Sequence, residues 1–182
     1  MITFSTVTIV IGLVYGLINV YAAANPEQYR QFALKAPRSM TLGCTLILIS
    51  TAWFLYNVNA EKIADFASYK KLMLGGFGIL GVGSCFYLKD HIGARGLAIF
   101  LLLLAKLVCD TGRWVESPLR LIMITWAYVW VFVGMWWTVS PYRMRDWIEW
   151  NVGDSGRLRL LSGIRALFGF ILVGLGATVF RG

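Results

Sequence analysis

Six apolar stretches constrain what this chain can fold into more than any other feature. They run over Phe4–Ala23, Met40–Val58, Leu72–Leu88, Leu97–Asp110, Leu121–Val139 and Leu160–Phe180. About 20 apolar residues in a helix cross a bilayer core of about 30 Å, and helices satisfy their own backbone hydrogen bonds where water is absent. The pattern therefore predicts an all-α, polytopic integral membrane protein with about six transmembrane helices.

The composition agrees with this class. The 182-residue chain is 58% hydrophobic and 14% charged, with a mean hydropathy of +0.68. A soluble domain would have too little polar surface to face water. The apolar runs are continuous rather than alternating, which argues against a membrane β-barrel. We therefore expect a single transmembrane domain over residues 1–182.

The formal net charge of +8 indicates an anionic partner. In a soluble protein it would suggest nucleic acid. Here the basic residues flank apolar runs, which favours anionic lipid head groups and excludes nucleic acid as the expected partner. Basic residues are slightly more numerous in the odd-numbered loops, which predicts those loops inside and both termini outside.

The connector between the fifth and sixth stretches is charged and amphipathic. It reads SPYRMRDWIEWNVGDSGRLRLLSG over Ser140–Gly163. This composition predicts a shallow helix lying in the membrane surface between two spans. The side chains expected at the interface, in contact with lipid head groups, are Arg143, Arg145, Trp147, Arg157, Arg159 and Arg165.

The first connector is similar to the last one. Aligning Pro26 with Pro141 places Arg30 over Arg145, and a five-residue insertion then brings Gly43 over Gly163. We interpret the chain as a series of helical hairpins, with candidate repeats over residues 1–58, 72–115 and 119–182.

The last hairpin also carries a recognisable order of residues. A span is followed by a proline, a basic amphipathic stretch, a polar turn, arginines, a glycine and a second span, formed here with Pro141, Arg143, Arg145, Trp147, Asp154, Arg157, Arg159 and Gly163. In this order it resembles a family of small, uncharacterised two-span bacterial membrane proteins. The resemblance covers about a third of the chain. It implies a membrane hairpin in a bacterial inner membrane and brings no catalytic residues.

Glycines in two apolar stretches predict close helix packing. They are Gly12 and Gly16 at GxxxG spacing in the first stretch, and Gly75, Gly76, Gly78, Gly81 and Gly83 in the third. Three of the latter formally match G-x-G-x-x-G. We reject a nucleotide site, because no soluble strand precedes the motif and no βαβ unit surrounds it.

The fourth stretch contains charged residues, which are costly inside a membrane. Lys106, Asp110 and Arg113 follow one another at helical spacing and are expected on one face. Such residues are paired, reach toward water, or lie on an ion or proton path. We favour a structural pair and keep ion transport as an alternative.

His91 is the only histidine, so two histidines from this chain cannot hold a haem. Single axial ligation of haem or chlorophyll stays open, although an exposed interfacial histidine is the simpler interpretation. Cys44, Cys85 and Cys109 form no CxxC motif and are expected to be small buried hydrophobes. No other cofactor and no metal site is expected.

The sequence shows no paired-carboxylate site, no plausible Ser/His/Asp set and no metal cluster, so an enzyme is not expected. Glycine- and aromatic-rich spans with little extramembrane mass favour a non-catalytic accessory or scaffold subunit of a larger membrane complex. By analogy, the host could be a respiratory or photosynthetic complex. The first alternative is a small ion or solute transporter or channel that uses Lys106 and Asp110. The second is a pigment- or haem-binding subunit that uses His91.

Overall fold

The computed structural model describes residues 3–61, 69–87 and 90–180, and all regular secondary structure in these ranges is helical. The helices are α1 (Phe4–Ala24), α2 (Pro26–Lys35), α3 (Met40–Ala60), α4 (Lys70–Tyr87), α5 (Ile92–Gly112), α6 (Arg120–Val139), α7 (Pro141–Val152) and α8 (Ser155–Thr178), and a 3₁₀ turn (Ala36–Arg38) joins α2 to α3. The all-α prediction is confirmed for these residues.

Five helices are long and apolar enough to cross a membrane: α1, α3, α5, α6 and α8. The third predicted span corresponds to α4, which has 18 residues. Two lysines at its start and five glycines lower its hydropathy below that of the other five. The predicted end of this span, Leu88, and the predicted surface segment over 62–68 lie outside the described residues.

Local signals explain where three of the long helices begin. The side chains of Thr3, Ser39 and Asp154 accept hydrogen bonds from the backbone N–H groups of Thr6, Leu42 and Arg157, respectively. These bonds satisfy N–H groups that have no partner inside the helix. The cap at Asp154 fixes the start of α8 at Ser155.

The structure corrects one prediction about the last connector. Its first half forms α7, but its second half, including Arg157 and Arg159, belongs to the first turns of α8. The connector is therefore not one shallow helix. The cap at Asp154 places the only break in it at residues 153–154, and the chain then continues as a single helix to Thr178.

The chain divides into two compact units. The first unit comprises residues 1–35, 104–132 and 145–182, and the second comprises residues 36–103 and 133–144. The boundaries fall at the end of α2 and within α5, α6 and α7.

The first unit is organised by antiparallel packing of α1 on α8. Gly12 lies against Gly169, and Ser5 donates a hydrogen bond of 2.7 Å to the carbonyl oxygen of Gly176. Residue numbers rise along α1 as they fall along α8, so the two helices run in opposite directions. The core beside this pair contains Phe4, Val7, Ala105, Val108, Met123, Ala127, Leu172 and Phe180.

The second unit brings three helices together with defined directions. Thr51 and Leu55 of α3 lie beside Gly81 and Gly78 of α4, so α3 and α4 are antiparallel. On α5, Gly96 lies against Gly43, and the ring of Phe100 lies 6.0 Å from that of Trp53. Residue numbers rise together in this second pair of helices, so α3 and α5 are parallel.

Candidate functional site

A polar cluster in the first unit surrounds Arg165, a partly buried residue of α8. With the Asn151 amide oriented so that its oxygen faces Arg165, that oxygen accepts hydrogen bonds from both terminal guanidinium nitrogens, at 2.9 and 3.0 Å. The guanidinium carbon lies 5.3 Å from the centre of the Trp147 ring, a cation–π distance. Two side chains of α7 therefore fix the position of one arginine of α8.

Asn151 holds this position because of the pattern of α7. Met144, Ile148 and Val152 form the buried apolar stripe of the helix, and Asn151 lies on the same side with only 5% of its surface exposed. A buried amide needs hydrogen-bond partners, and Arg165 supplies them. Sequence reasoning missed Asn151, although a polar residue beside an apolar i, i+4, i+8 stripe is a readable signal.

Two tyrosines complete the surroundings of Arg165. Tyr15 of α1 and Tyr29 of α2 both lie within its electrostatic range. Burial raises the pKa of the Tyr29 phenol above its usual value, and the positive charge of Arg165 partly offsets this. The Tyr29 phenol is therefore uncharged at neutral pH and adds no counter-charge to the cluster.

Arg165 lacks a counter-charge within the part of the chain that the structure describes. The ion pairs found there join Lys106 to Asp110, and Arg145 to Asp146 and Glu149. A guanidinium retains its charge at any physiological pH. The cluster is thus a positioned cation with neutral donors and acceptors around it.

The other predicted interfacial residues are placed differently. Arg143 lies over the Tyr142 ring at 5.6 Å, and Arg145 approaches Asp146 and Glu149 at 3.1 and 3.4 Å. Arg157 donates to the Trp150 carbonyl oxygen at 2.9 Å, while Arg159 is exposed. Of the predicted set, the structure brings only Trp147 and Arg165 into one site.

The charged pair of α5 lies at the surface of the first unit. The Lys106 ammonium donates to Asp110 at 2.5 Å, and the two side chains are 43% and 46% exposed. Arg113 follows the last residue of the helix and is exposed. Half-exposed positions one turn apart are typical of a structural ion pair.

The predicted packing glycines fall into three groups. Gly12 and Gly16 face α8, whereas Gly78 and Gly81 face α3. Around the ideal Cβ positions of Gly75, Gly76 and Gly83, no described atom lies within 4 Å. Gly43 and Gly163, which the repeat alignment superposes, also differ: Gly43 is packed tightly against Ile92, and Gly163 faces open space.

The outward glycines belong to a distinct surface, which we call the outer face of α4. The inner face of α4 packs against the rest of the second unit through Phe77, Gly81 and Cys85. Seven residues correspond to nearly two helical turns, so Gly76 and Gly83 share the opposite side. Large exposed residues flank them there: Leu72, Ile79, Leu80 and Tyr87.

His91 lies just before α5 in a left-handed backbone conformation, with φ of 53°. Its Nδ1 atom is buried and has no hydrogen-bond partner among the described residues. Its neighbours 88 and 89 are not described. Within the described ranges, no group of three or more His, Cys, Asp or Glu residues is arranged to hold a metal ion.

Comparison with protein-family models, curated proteins and solved structures found no match.

Proposed function

We propose that this chain is a six-span, non-catalytic subunit of a larger complex in a bacterial inner membrane, and that it contacts a membrane-embedded partner through the outer face of α4. The observation that carries the proposal is this face: an apolar surface with two glycines at its centre, on the helix least suited to face lipid alone.

Helix directions support a count of six. Consecutive spans alternate in direction, so α1 and α8 can be antiparallel only if the total number of crossings is even. Five crossings, without α4, would make them parallel. The second unit independently supports the extra crossing. Its helices α3 and α5 are parallel, so one crossing must lie between them. α4 is antiparallel to α3 and supplies that crossing.

The composition of α4 supports a protein neighbour. Each glycine inside a helix costs about 1 kcal/mol relative to alanine, and at Gly76 and Gly83 no packing contact within the described chain offsets this cost. Small residues of this kind let a second helix approach closely in a membrane. Ile79 and Tyr87, 75% and 89% exposed, would then pack on that helix.

The double substitution Gly76→Leu and Gly83→Leu tests the docking surface. The new side chains fill the space between Leu72 and Tyr87, so a partner helix can no longer approach. We expect the protein to remain folded, since both positions are open, and to lose the proteins that copurify with it after mild-detergent extraction. Native gels and mass spectrometry of the extracts give the readout.

The control is Gly174→Leu, which places the same side chain at an equally open glycine of α8. This variant should copurify with the same partners as the unmodified chain. Extraction of the unmodified protein as a monomer or homo-oligomer would contradict the subunit role. Unchanged partners in the double variant would contradict the outer face of α4 as the docking surface.

The transporter alternative is not proposed. It would rest on Lys106 and Asp110, and their direct pairing at half-exposed positions favours a structural role. The pigment alternative would rest on His91, whose unpartnered Nδ1 atom does not by itself indicate a ligand.

A further inference from the structure

We infer that the first unit binds one anionic phospholipid, with the lipid phosphate on Arg165 and an acyl chain in the groove between α6 and α8. This inference rests on the membrane insertion proposed above and is independent of the subunit role. It goes beyond a general attraction of basic residues to head groups, because it assigns one arginine and one groove to one ligand.

The position of Arg165 in α8 favours the binding of an anion. It is the last charged residue of α8 before an uninterrupted uncharged run from Ala166 to Thr178. A charge at the edge of a hydrocarbon layer is costly unless it is paired or reaches water. No carboxylate among the described residues is paired with it, whereas lipid phosphates are the anions that a membrane surface supplies.

The cluster leaves Arg165 able to bind a phosphate. A guanidinium carries five N–H groups, and the Asn151 oxygen accepts one hydrogen bond from each terminal nitrogen. The remaining N–H groups can bind phosphate oxygens in the planar, two-pronged manner that arginine favours. Trp147 and Asn151 hold the guanidinium in place, so little side-chain entropy is lost on binding.

An apolar groove begins one helical turn from Arg165. Its volume is about 480 Å³, and it is lined by Leu121, Ile122, Thr125, Trp126, Val129 and Phe168. Phe168 follows Arg165 by three residues and therefore lies on the same side of α8. From Leu121 to Val129 the groove extends about 12 Å along α6, a length suited to part of an acyl chain.

Two other arginines near this end of the unit are already engaged. Arg145 pairs with Asp146 and Glu149, and Arg157 donates to a backbone carbonyl while its charge lies 5.0 Å from the Trp150 ring. They can contribute to the general attraction of anionic lipid. Arg165 combines a charge that no described carboxylate neutralises, fixed neighbours and an adjacent apolar groove.

The test uses the purified full-length chain in nanodiscs of phosphatidylcholine with a minor fraction of phosphatidylglycerol. Native mass spectrometry counts the lipids that stay bound after ejection from the disc. We expect one retained phosphatidylglycerol, and about tenfold lower retention in Arg165→Gln, because a charge-assisted contact of this kind accounts for at least a tenfold change in affinity. Arg159→Gln removes an exposed arginine and should retain the lipid.

A second variant keeps the test decisive if Arg165→Gln does not fold. Asn151→Asp leaves Arg165 in place and supplies a carboxylate at 2.9 to 3.0 Å from its nitrogens, which takes the place of the phosphate. It should also lose the phosphatidylglycerol. Equal retention in this variant and in the unmodified chain would overturn the inference.

Two further experiments test whether the phosphate bound to Arg165 belongs to a lipid. Thr125→Trp fills the groove without touching Arg165 and should also reduce retention. Excess glycerol 3-phosphate, which has the charge but no acyl chain, should not displace the lipid. Displacement by this compound would overturn the assignment to a lipid. Since the assay contains no partner subunit, its outcome does not depend on whether a larger complex exists.

Discussion

Replacing Gly169 with valine is expected to separate α1 from α8 and to destabilise the first unit more than any other single substitution proposed for this chain. A Cβ atom at Gly169 would lie 2.7 Å from the backbone nitrogen of Gly16 and 2.8 Å from the carbonyl oxygen of Gly12. Both contacts are with backbone, so no side-chain rotation can relieve them. Overpacking of a tight contact costs about 1–3 kcal/mol, and valine adds two further methyl groups at the closest point of the helix pair.

The measurement is thermal unfolding of the purified protein in detergent, followed by circular dichroism. Gly174→Val is the matched control, because Gly174 lies on the same helix and has no described atom within 4 Å of its ideal Cβ position. The control should unfold at nearly the temperature of the unmodified chain, whereas Gly169→Val should unfold well below it. Equal unfolding temperatures for the two variants would show that α1 and α8 do not pack as described.

The second large effect concerns membrane topology, because each reporter lies entirely on one side of the membrane or on the other. If α4 crosses the membrane, reporters fused to the N-terminus and to the C-terminus will be found on the same side. A reporter inserted after Glu61 will lie on the opposite side from one inserted after Asp90. Membrane-impermeant labelling of single cysteines, or paired periplasmic and cytoplasmic reporters, distinguishes these arrangements.

Five crossings would give a different result at every one of these positions. The termini would then lie on opposite sides, and the reporters flanking α4 would share one side. That outcome would contradict the antiparallel packing of α1 on α8, because the helix directions in that pair require an even number of crossings. It would also contradict the parallel arrangement of α3 and α5.

The sequence predicted the helices well because their signals are local. The predicted first span over Phe4–Ala23 and the predicted fifth span over Leu121–Val139 differ from α1 and α6 by one residue each. Continuous apolar runs, a proline at the start of α2 and a capping serine before α3 are each readable from a few neighbouring residues. The predicted sixth span begins at Leu160, whereas α8 begins at Ser155. The charged first turns of α8 do not resemble a span, so the helix start that the Asp154 cap sets was not predicted.

The helix partners could not be predicted in the same way. The chain order suggested hairpins, yet the tightest packing joins the first long helix to the last. This pairing depends on small residues at matching positions, Gly12 on one helix and Gly169 on the other, which are far apart in sequence. Glycines alone did not identify it, because Gly75, Gly76 and Gly83 look the same in the sequence and face away from the described chain.

The cluster around Arg165 was only half predicted, for a related reason. Composition placed Arg165 and Trp147 at the membrane surface, but it placed four other side chains there as well. The distinction depends on which of them meets a buried polar residue, and Asn151 meets Arg165 only across the break between α7 and α8. Contacts made across a turn of the chain are not visible in the local pattern.

Site-specific photocrosslinking from Ile79 in native membranes tests whether a partner protein covers the outer face of α4. Ile79 lies on the outer face of α4 and is 75% exposed, and Leu167 of α8 is a matched control at 64%. If a partner protein docks there, we expect a discrete protein adduct from a photoreactive side chain at Ile79, and lipid adducts alone from Leu167. Lipid adducts alone from both positions would contradict it, because the outer face of α4 would then be covered by the bilayer and not by a partner.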